Sequence, residues 1–256
     1  SAAAVMGAGG FSEFLEGAAD MDRHFQTSAL AKNLPVLMAL TAIWHRNICA
    51  YPAQAVIPYD HRLRSLPAYL QQLVMESNGK SVDRQGVLLE YQTSPVLFGE
   101  PGTDAQHSLF QMFHQGTDIV PMSFIGVLQP DHEDREAHAG LLANMLAQAT
   151  ALATGTGGLG SAESLDAHRQ MPGGRPSEVI LLDKLTPFSL GQLLALYEHQ
   201  VFVESVIWDI NPFDQFGVEL GKVVAKAIQP ALEDQSREVP ENYGLDGILE
   251  YIRSKK

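Results

Sequence analysis

With 30 acidic against 17 basic side chains, this 256-residue chain carries a formal net charge of −13. That balance excludes the basic footprint of a nucleic-acid binder and would repel anionic lipid. Hydrophobic residues at 45% and charged residues at 18% describe an ordinary globular sequence, long enough for one large α/β domain or two small ones.

The one cysteine, Cys49, rules out an internal disulfide and a thiolate metal cluster, and it fits a cytoplasmic protein. No apolar run reaches the length of a membrane span. The start, Ser1-Ala2-Ala3-Ala4-Val5, lacks the basic segment of a signal peptide. Its apolar character leads us to expect a chain that begins inside a longer protein.

Phe11 to about Ser28 has the spacing of an amphipathic helix, with Phe11, Phe14, Leu15 and Ala18 on one side. Leu34–Ala50 predicts a second helix, apolar almost all round, and such helices are usually buried. Trp44 and Met38 are therefore expected in the core. Gln54–Tyr59 reads as a short buried strand. His61 to about Met75 is helical, and it places Gln72 and Glu76 four apart on one face where the helix ends. Val82–Tyr91 suggests a hairpin turned at Arg84-Gln85-Gly86, and Pro95–Gly99 a further strand. Thr103 and Gln106 have capping-box spacing, which predicts a helix start at about Asp104. His107 then falls in the first turn, with His114 two turns along the same face.

Ile119–Leu128 predicts a strand, Glu136–Ala153 a long helix and Gly155–Pro176 a loop. Val179–Leu182 follows as a strand, Pro187–His199 as a helix and Val201–Ile210 as another strand. Asn211-Pro212 has the form of an N-cap and first helical residue. It predicts a helix to about Ile228 with Gln215 and Lys222 on one face. Leu245–Ile252 reads as the last helix. The alternation implies an α/β fold, a mainly parallel sheet flanked by helices on both faces.

Two motifs lose to plainer readings. Gly155-Thr156-Gly157-Gly158-Leu159-Gly160 fits a dinucleotide-binding pattern but follows a helix rather than a strand, so it reads as loop. His132, Glu133, Asp134, Glu136 and His138 lack ligand spacing, and acidic residues are favoured at a helix start in any case. No metal site is expected. Glu76 sits at an element end beside Ser77, Asn78 and Gly79, where it serves as a candidate base or as an ordinary loop glutamate. His107 in the first turn of a helix would be held neutral by the helix dipole, ready to give or take a proton. Lys222 reads equally as a surface partner of Glu219.

Several of these stretches together resemble one family. Met75-Glu76-Ser77-Asn78-Gly79-Lys80, Gly99-Glu100-Pro101-Gly102-Thr103, Gln106-His107 and His114-Gln115-Gly116-Thr117 are similar, in order and spacing, to the glucose-6-phosphate isomerase family. So are Lys184-Leu185-Thr186-Pro187-Phe188 and Tyr197-Glu198-His199, while Ser205 to Lys222 resembles the family's C-terminal signature. The likeness runs from about Phe11 to about Pro230.

It implies a three-layer sugar isomerase (SIS) domain over 31–212, after an N-terminal helical segment 1–30 and before a C-terminal helical arm 213–256. It implies interconversion of glucose 6-phosphate and fructose 6-phosphate through a cis-enediol, without cofactor. Glu76 would be the base that moves the proton between C1 and C2. His107 and Lys222 would open the ring, and Gln72 and Gln215 would contact the sugar. It also implies a homodimer in which His107 serves the neighbouring subunit.

The departures are an absent first SIS domain with its phosphate loop, an absent Gly-Gly-Arg arginine, and a divergent tail after Pro230. Gly173-Gly174-Arg175 matches a different loop of the family. An isolated chain of this extent is expected to turn over substrate poorly. The alternative is a non-catalytic module that binds sugar phosphate or dimerises.

Overall fold

The structure, a computed structural model, describes residues 2–159, 166–234, 239–240 and 243–255. Its helices, in chain order, are Ala2–Thr27 (α1), Leu34–Ile43 (α2), Leu66–Leu70 (α3), Gly102–Ser108 (α4), Phe110–Gln115 (α5), Arg135–Thr154 (α6), Pro187–Ile207 (α7), Phe216–Glu233 (α8) and Asp246–Arg253 (α9). Wide π-turns extend α2 through Ile48 and α3 over Gln71–Glu76. The strands are Ala53–Pro58 (β1), Val96–Phe98 (β2), Met122–Gln129 (β3) and Ser177–Lys184 (β4). Two compact units emerge, Ser1–Phe213 and Asp214–Lys256.

In the first unit the strands form one sheet in the order β2-β1-β3-β4, and every pairing is parallel. Alternation along each strand splits the core in two. Val56, Leu97 and Ile125 point to one face and pack with Leu66, Leu70, Leu193 and Tyr197. Ala55, Ile57, Met122 and Phe124 point to the other and pack with Phe110, Phe113, Met145 and Leu152. Three layers result, with α1, α3 and α7 over the first face and α4, α5 and α6 over the second. This is the α/β architecture that the alternation of strands and helices implies.

α1 and α7 lie backbone to backbone. Gly17 faces the Phe188 carbonyl and Gly191 faces the Phe14 carbonyl, and a Cβ at either position would overlap the opposing chain. Gln192 Nε2 donates to Asp20 at 2.8 Å, and His199 Nε2 meets Asp22 at 2.7 Å with the Phe25 ring stacked on its imidazole. We expect Gly17→Ala and Gly191→Ala each to destabilise the first unit by about 1–3 kcal/mol, because the two helices must move apart. Urea unfolding followed by circular dichroism checks this, and unchanged midpoints would refute it.

Several sequence expectations give way. The predicted strand Val201–Ile210 is helix: α7 runs unbroken to Ile207. Leu193, Leu196, Tyr197, Gln200, Val201 and Glu204 fall on one buried stripe, and this packing overrides the strand preference of the Val and Phe residues. Thr186 and Ser189 cap the start reciprocally, with Pro187 in the first turn. α2 is not buried all round: only Pro35 and Ala39 are, while Leu34, Leu37 and Leu40 are exposed and Trp44 is 59% exposed. One side of α2 therefore faces outward, and Trp44 is not core. The expected hairpin at 82–91 reduces to a single bridge, Val82↔Leu88, with a turn held by Asp83.

Thr103 does not cap a helix. α4 already begins at Gly102, which lies under the Tyr59 ring where a Cβ could not fit. Gln106 reaches the Tyr59 hydroxyl at 2.9 Å instead of folding back. At Leu109 the helix breaks (φ −111°), so His107 and His114 stand on separate helices. Within the second unit, α8 starts at Phe216 rather than at Pro212. Ile210 N–H is tied to the Ser205 carbonyl and Phe213 takes φ 61°, which keeps this stretch out of the helix. Arg253 of α9 donates to the Ala231 carbonyl of α8 at 2.7 and 3.0 Å. Residues 160–165 of the expected loop, including Gly160, lie outside the described residues, as do 235–238 of the tail.

Candidate active site

Glu76 ends the helical stretch that connects β1 to β2. Leu66, Leu70 and Val74 anchor that stretch in the core, and the π-turn over Gln71–Glu76 widens its last turn. Such turns are frequent at functional sites. Gln72 and Glu76 share a face as expected, the Gln72 Nε2 lying 3.5 Å from Glu76 Oε1. They line a cleft of about 320 Å³ with Tyr69, Leu73, Ser77 and Phe213. Glu76 is half-buried and Gln72 exposed.

The turn after Glu76 is fixed from beneath. Asn78 has no exposed surface, and its amide donates to the Val201 carbonyl at 3.1 Å and to Glu204 Oε2 at 3.0 Å. Gln200 Nε2 donates to the other Glu204 oxygen at 2.8 Å. Burial pushes the Glu204 carboxyl up to about 7, against the two amide hydrogen bonds that favour its charged form. Lys80 Nζ closes the turn on the Glu76 carbonyl at 2.7 Å, and Thr93 Oγ1 binds the Lys80 carbonyl at 2.8 Å. Tyr69 is held by Glu198 at 3.0 Å, and its hydroxyl is pushed well above the usual phenol range, by burial first and then by that carboxylate.

Glu76 therefore leaves its helix beside residues 93–94, ahead of the first residue of β2. His107 lies beyond the end of β2, on α4, which packs over the opposite face. Its side chain is exposed and it occupies the last turn of α4, so the helix-dipole argument based on a first-turn histidine does not apply. Glu76 and His107 thus stand at opposite ends and faces of one sheet. In the second unit, Gln215 is the N-cap residue of α8, not a member of a helical face with Lys222. Lys222 is exposed, 3.4 Å from Glu219.

His114 is a packing residue, its ring against Phe110 and its Nε2 3.2 Å from Gln148. Arg175 is buried and ties the Gly116 and Asp118 carbonyls together, a structural use of the Gly-Gly-Arg look-alike. Among the described residues no group of three His, Cys, Asp or Glu side chains could hold a metal, and no helix is long and apolar enough to cross a membrane. Sequence reading missed Tyr69, Phe213 and the Asn78–Glu204–Gln200 support. Tyr69, three residues before Gln72, was findable by helical spacing; Phe213 offers no local signal.

The family model for phosphoglucose isomerase matches residues 1–247. A glucose-6-phosphate isomerase of Polaromonas naphthalenivorans is 53% identical over 245 residues, which are 96% of this chain and 45% of that protein. One from Stenotrophomonas maltophilia is 56% identical over 225 residues, 88% of this chain and 44% of that protein. The chain thus spans about half the length of the curated relatives it matches. In three dimensions it is similar to the crystal structure of a glucose-6-phosphate isomerase from Chlamydia trachomatis, with a TM-score of 0.82 and 40% identity over 94% of this chain and 46% of that one. A motif series, a parallel three-layer sheet and a family match over nearly the whole chain agree, and this chain belongs to the phosphoglucose isomerase family.

Proposed function

We propose that this chain carries the proton-transfer part of glucose 6-phosphate–fructose 6-phosphate isomerisation. The observation that carries the proposal is Glu76, poised in an open cleft on a turn made rigid through Asn78, with Gln72 against it. An aldose–ketose shift requires one base to remove a proton from one carbon and return it to its neighbour, through a cis-enediol. In this reading Glu76 is that base. Gln72 and Gln215 hold sugar hydroxyls, and His107 and Lys222 open the ring. No cofactor takes part.

The same reading divides the chain into a helical segment 1–30, an SIS domain 31–212 and an arm 213–256 that supplies Gln215 and Lys222. It places the protein in the cytoplasm as a homodimer. The position of His107, at the far end of the sheet from Glu76, supports a site completed by a second subunit.

The test is a coupled assay of fructose 6-phosphate isomerisation on the purified chain, alone and mixed with the first half of a family-length relative. Turnover in either condition supports the reading. Because preorganised donors are worth about 10²–10³ in rate each, the mixture is expected to exceed the chain alone. Saturable sugar-phosphate binding with no turnover in either condition would favour a binding module instead.

A further inference from the structure

A second polar cluster lies apart from Glu76. On the face of the sheet covered by α7, the strands build an apolar core from Val56, Ile125 and Ile180, yet the rung at their amino ends is polar. Ser123 of β3 is in register with Glu178 of β4, and Gln54 comes two residues before Val56 on the same face of β1. Gln54 Nε2 donates to Ser123 Oγ at 3.3 Å, and Ser123 Oγ donates to Glu178 Oε1 at 2.6 Å. This rung borders a cavity of about 150 Å³, room for about five waters. Met38, Ala42 and Pro121 supply its apolar wall.

The valences left over are acceptors. Gln200 lines the cavity at 5% exposure; its amide nitrogen is committed to Glu204, and its Oε1 has no partner. The second oxygen of Glu178 completes the set. Burial holds the Glu178 carboxyl above the ordinary carboxylate range, against the hydrogen bond from Ser123. Burial also holds the imidazole of His45, another lining residue, below its ordinary range, so His45 puts no competing positive charge there at neutral pH. A buried acceptor without a donor is unfavourable, and here Gln200, with its unpartnered Oε1, shares the lining of one cavity with a carboxyl and an apolar wall.

We propose that this cavity binds a small organic cation carrying N–H donors at the tip of a short alkyl stem, an alkylguanidinium or alkylammonium group. Its N–H groups meet Gln200 Oε1 and Glu178, and its stem lies along Met38, Ala42 and Pro121. The site is separate from the Glu76 cleft and does not rest on the isomerase reading. The cation has two possible sources, a free small molecule or a lysine or arginine side chain of another segment.

Isothermal titration of the 256-residue chain with n-propylguanidinium chloride, and separately with N-acetylarginine methylamide, tests the proposal. Saturable one-to-one binding is expected, weakened at least about tenfold by Glu178→Gln. Ala42→Leu fills the cavity without touching a polar group and should abolish binding. Tetramethylammonium, a cation without N–H, should not bind. Tighter binding of propylguanidinium assigns a free cation; tighter binding of the arginine derivative assigns a side chain. No saturation below about 10 mM, or binding that both variants leave unchanged, overturns the site.

Discussion

Glu76→Gln should reduce isomerisation roughly 10²–10⁴-fold, the usual contribution of a positioned general base. The substitution is nearly isosteric. The glutamine carbonyl can still accept from Gln72 Nε2, and the turn below remains held by Asn78 and Lys80. What disappears is the lone pair basic enough to take the sugar proton. The loss should therefore fall on kcat, with KM little changed, because the hydroxyl contacts assigned to Gln72 remain. The assay must use a preparation that turns over fructose 6-phosphate, alone or with the complementing half. A variant within threefold of the parent (about 0.65 kcal/mol) would remove Glu76 from the role of base. Unchanged thermal unfolding would separate chemistry from folding.

The second large effect concerns Glu204. Its carboxyl has a folded-state value raised from 4.5 to about 7, chiefly by burial. A group whose folded value is raised binds more protons in the native state. Its stabilising contribution is complete below about pH 4.5 and is lost as pH rises through 7. The difference between those limits is on the order of 3 kcal/mol. Urea unfolding at pH 5 and at pH 8 should show the first unit weaker at pH 8 by an amount that Glu204→Gln removes. A neutral amide cannot ionise, so this variant should be the more stable of the two at pH 8. A parent and variant with the same pH dependence would sink the argument. Asn78 senses the same ionisation through its 3.0 Å bond to Glu204, so the turn carrying Glu76 is coupled to it.

The parts of the fold that could be read from residues are those where local pattern and tertiary role coincide. The apolar runs around Val56, Phe124 and Ile180 are strands because each is short and bounded by turns. Their parallel pairing follows from the helices between them. Gln72 and Glu76 were placed together because four residues on a helix, even a widened one, return to nearly the same face. The misses occur where packing decides. Val201 to Ile207 has a strand's composition, but its buried residues Val201, Glu204 and Ser205 repeat at helical spacing, with Val201 and Glu204 set against Asn78. Asn211-Pro212 has an N-cap's composition, but Ile210 is already bonded backwards and Phe213 turns the chain the other way. Thr103 and Gln106 have a capping box's spacing, yet the Tyr59 ring claims Gln106. The opposite placement of His107 and Glu76 is a property of the crossover connections, which no local window contains.

The pairing of α1 with α7 also dictates when this chain can become folded. The bonds Gln192–Asp20 and His199–Asp22 join residues 172 and 177 positions apart. Closing so large a loop carries an entropic penalty that only the finished contact offsets, and topologies rich in distant contacts fold slowly. In order of synthesis α1 precedes α7, with all four strands between them, so Met21 and Ala18 must wait for their cover until α7 has been made. During that interval the half-built core is the segment most exposed to misassociation. α7 is the closing element, and a stalled or shortened chain that ends before it leaves that face of the sheet without the cover of Leu193, Leu196, Tyr197 and Val201.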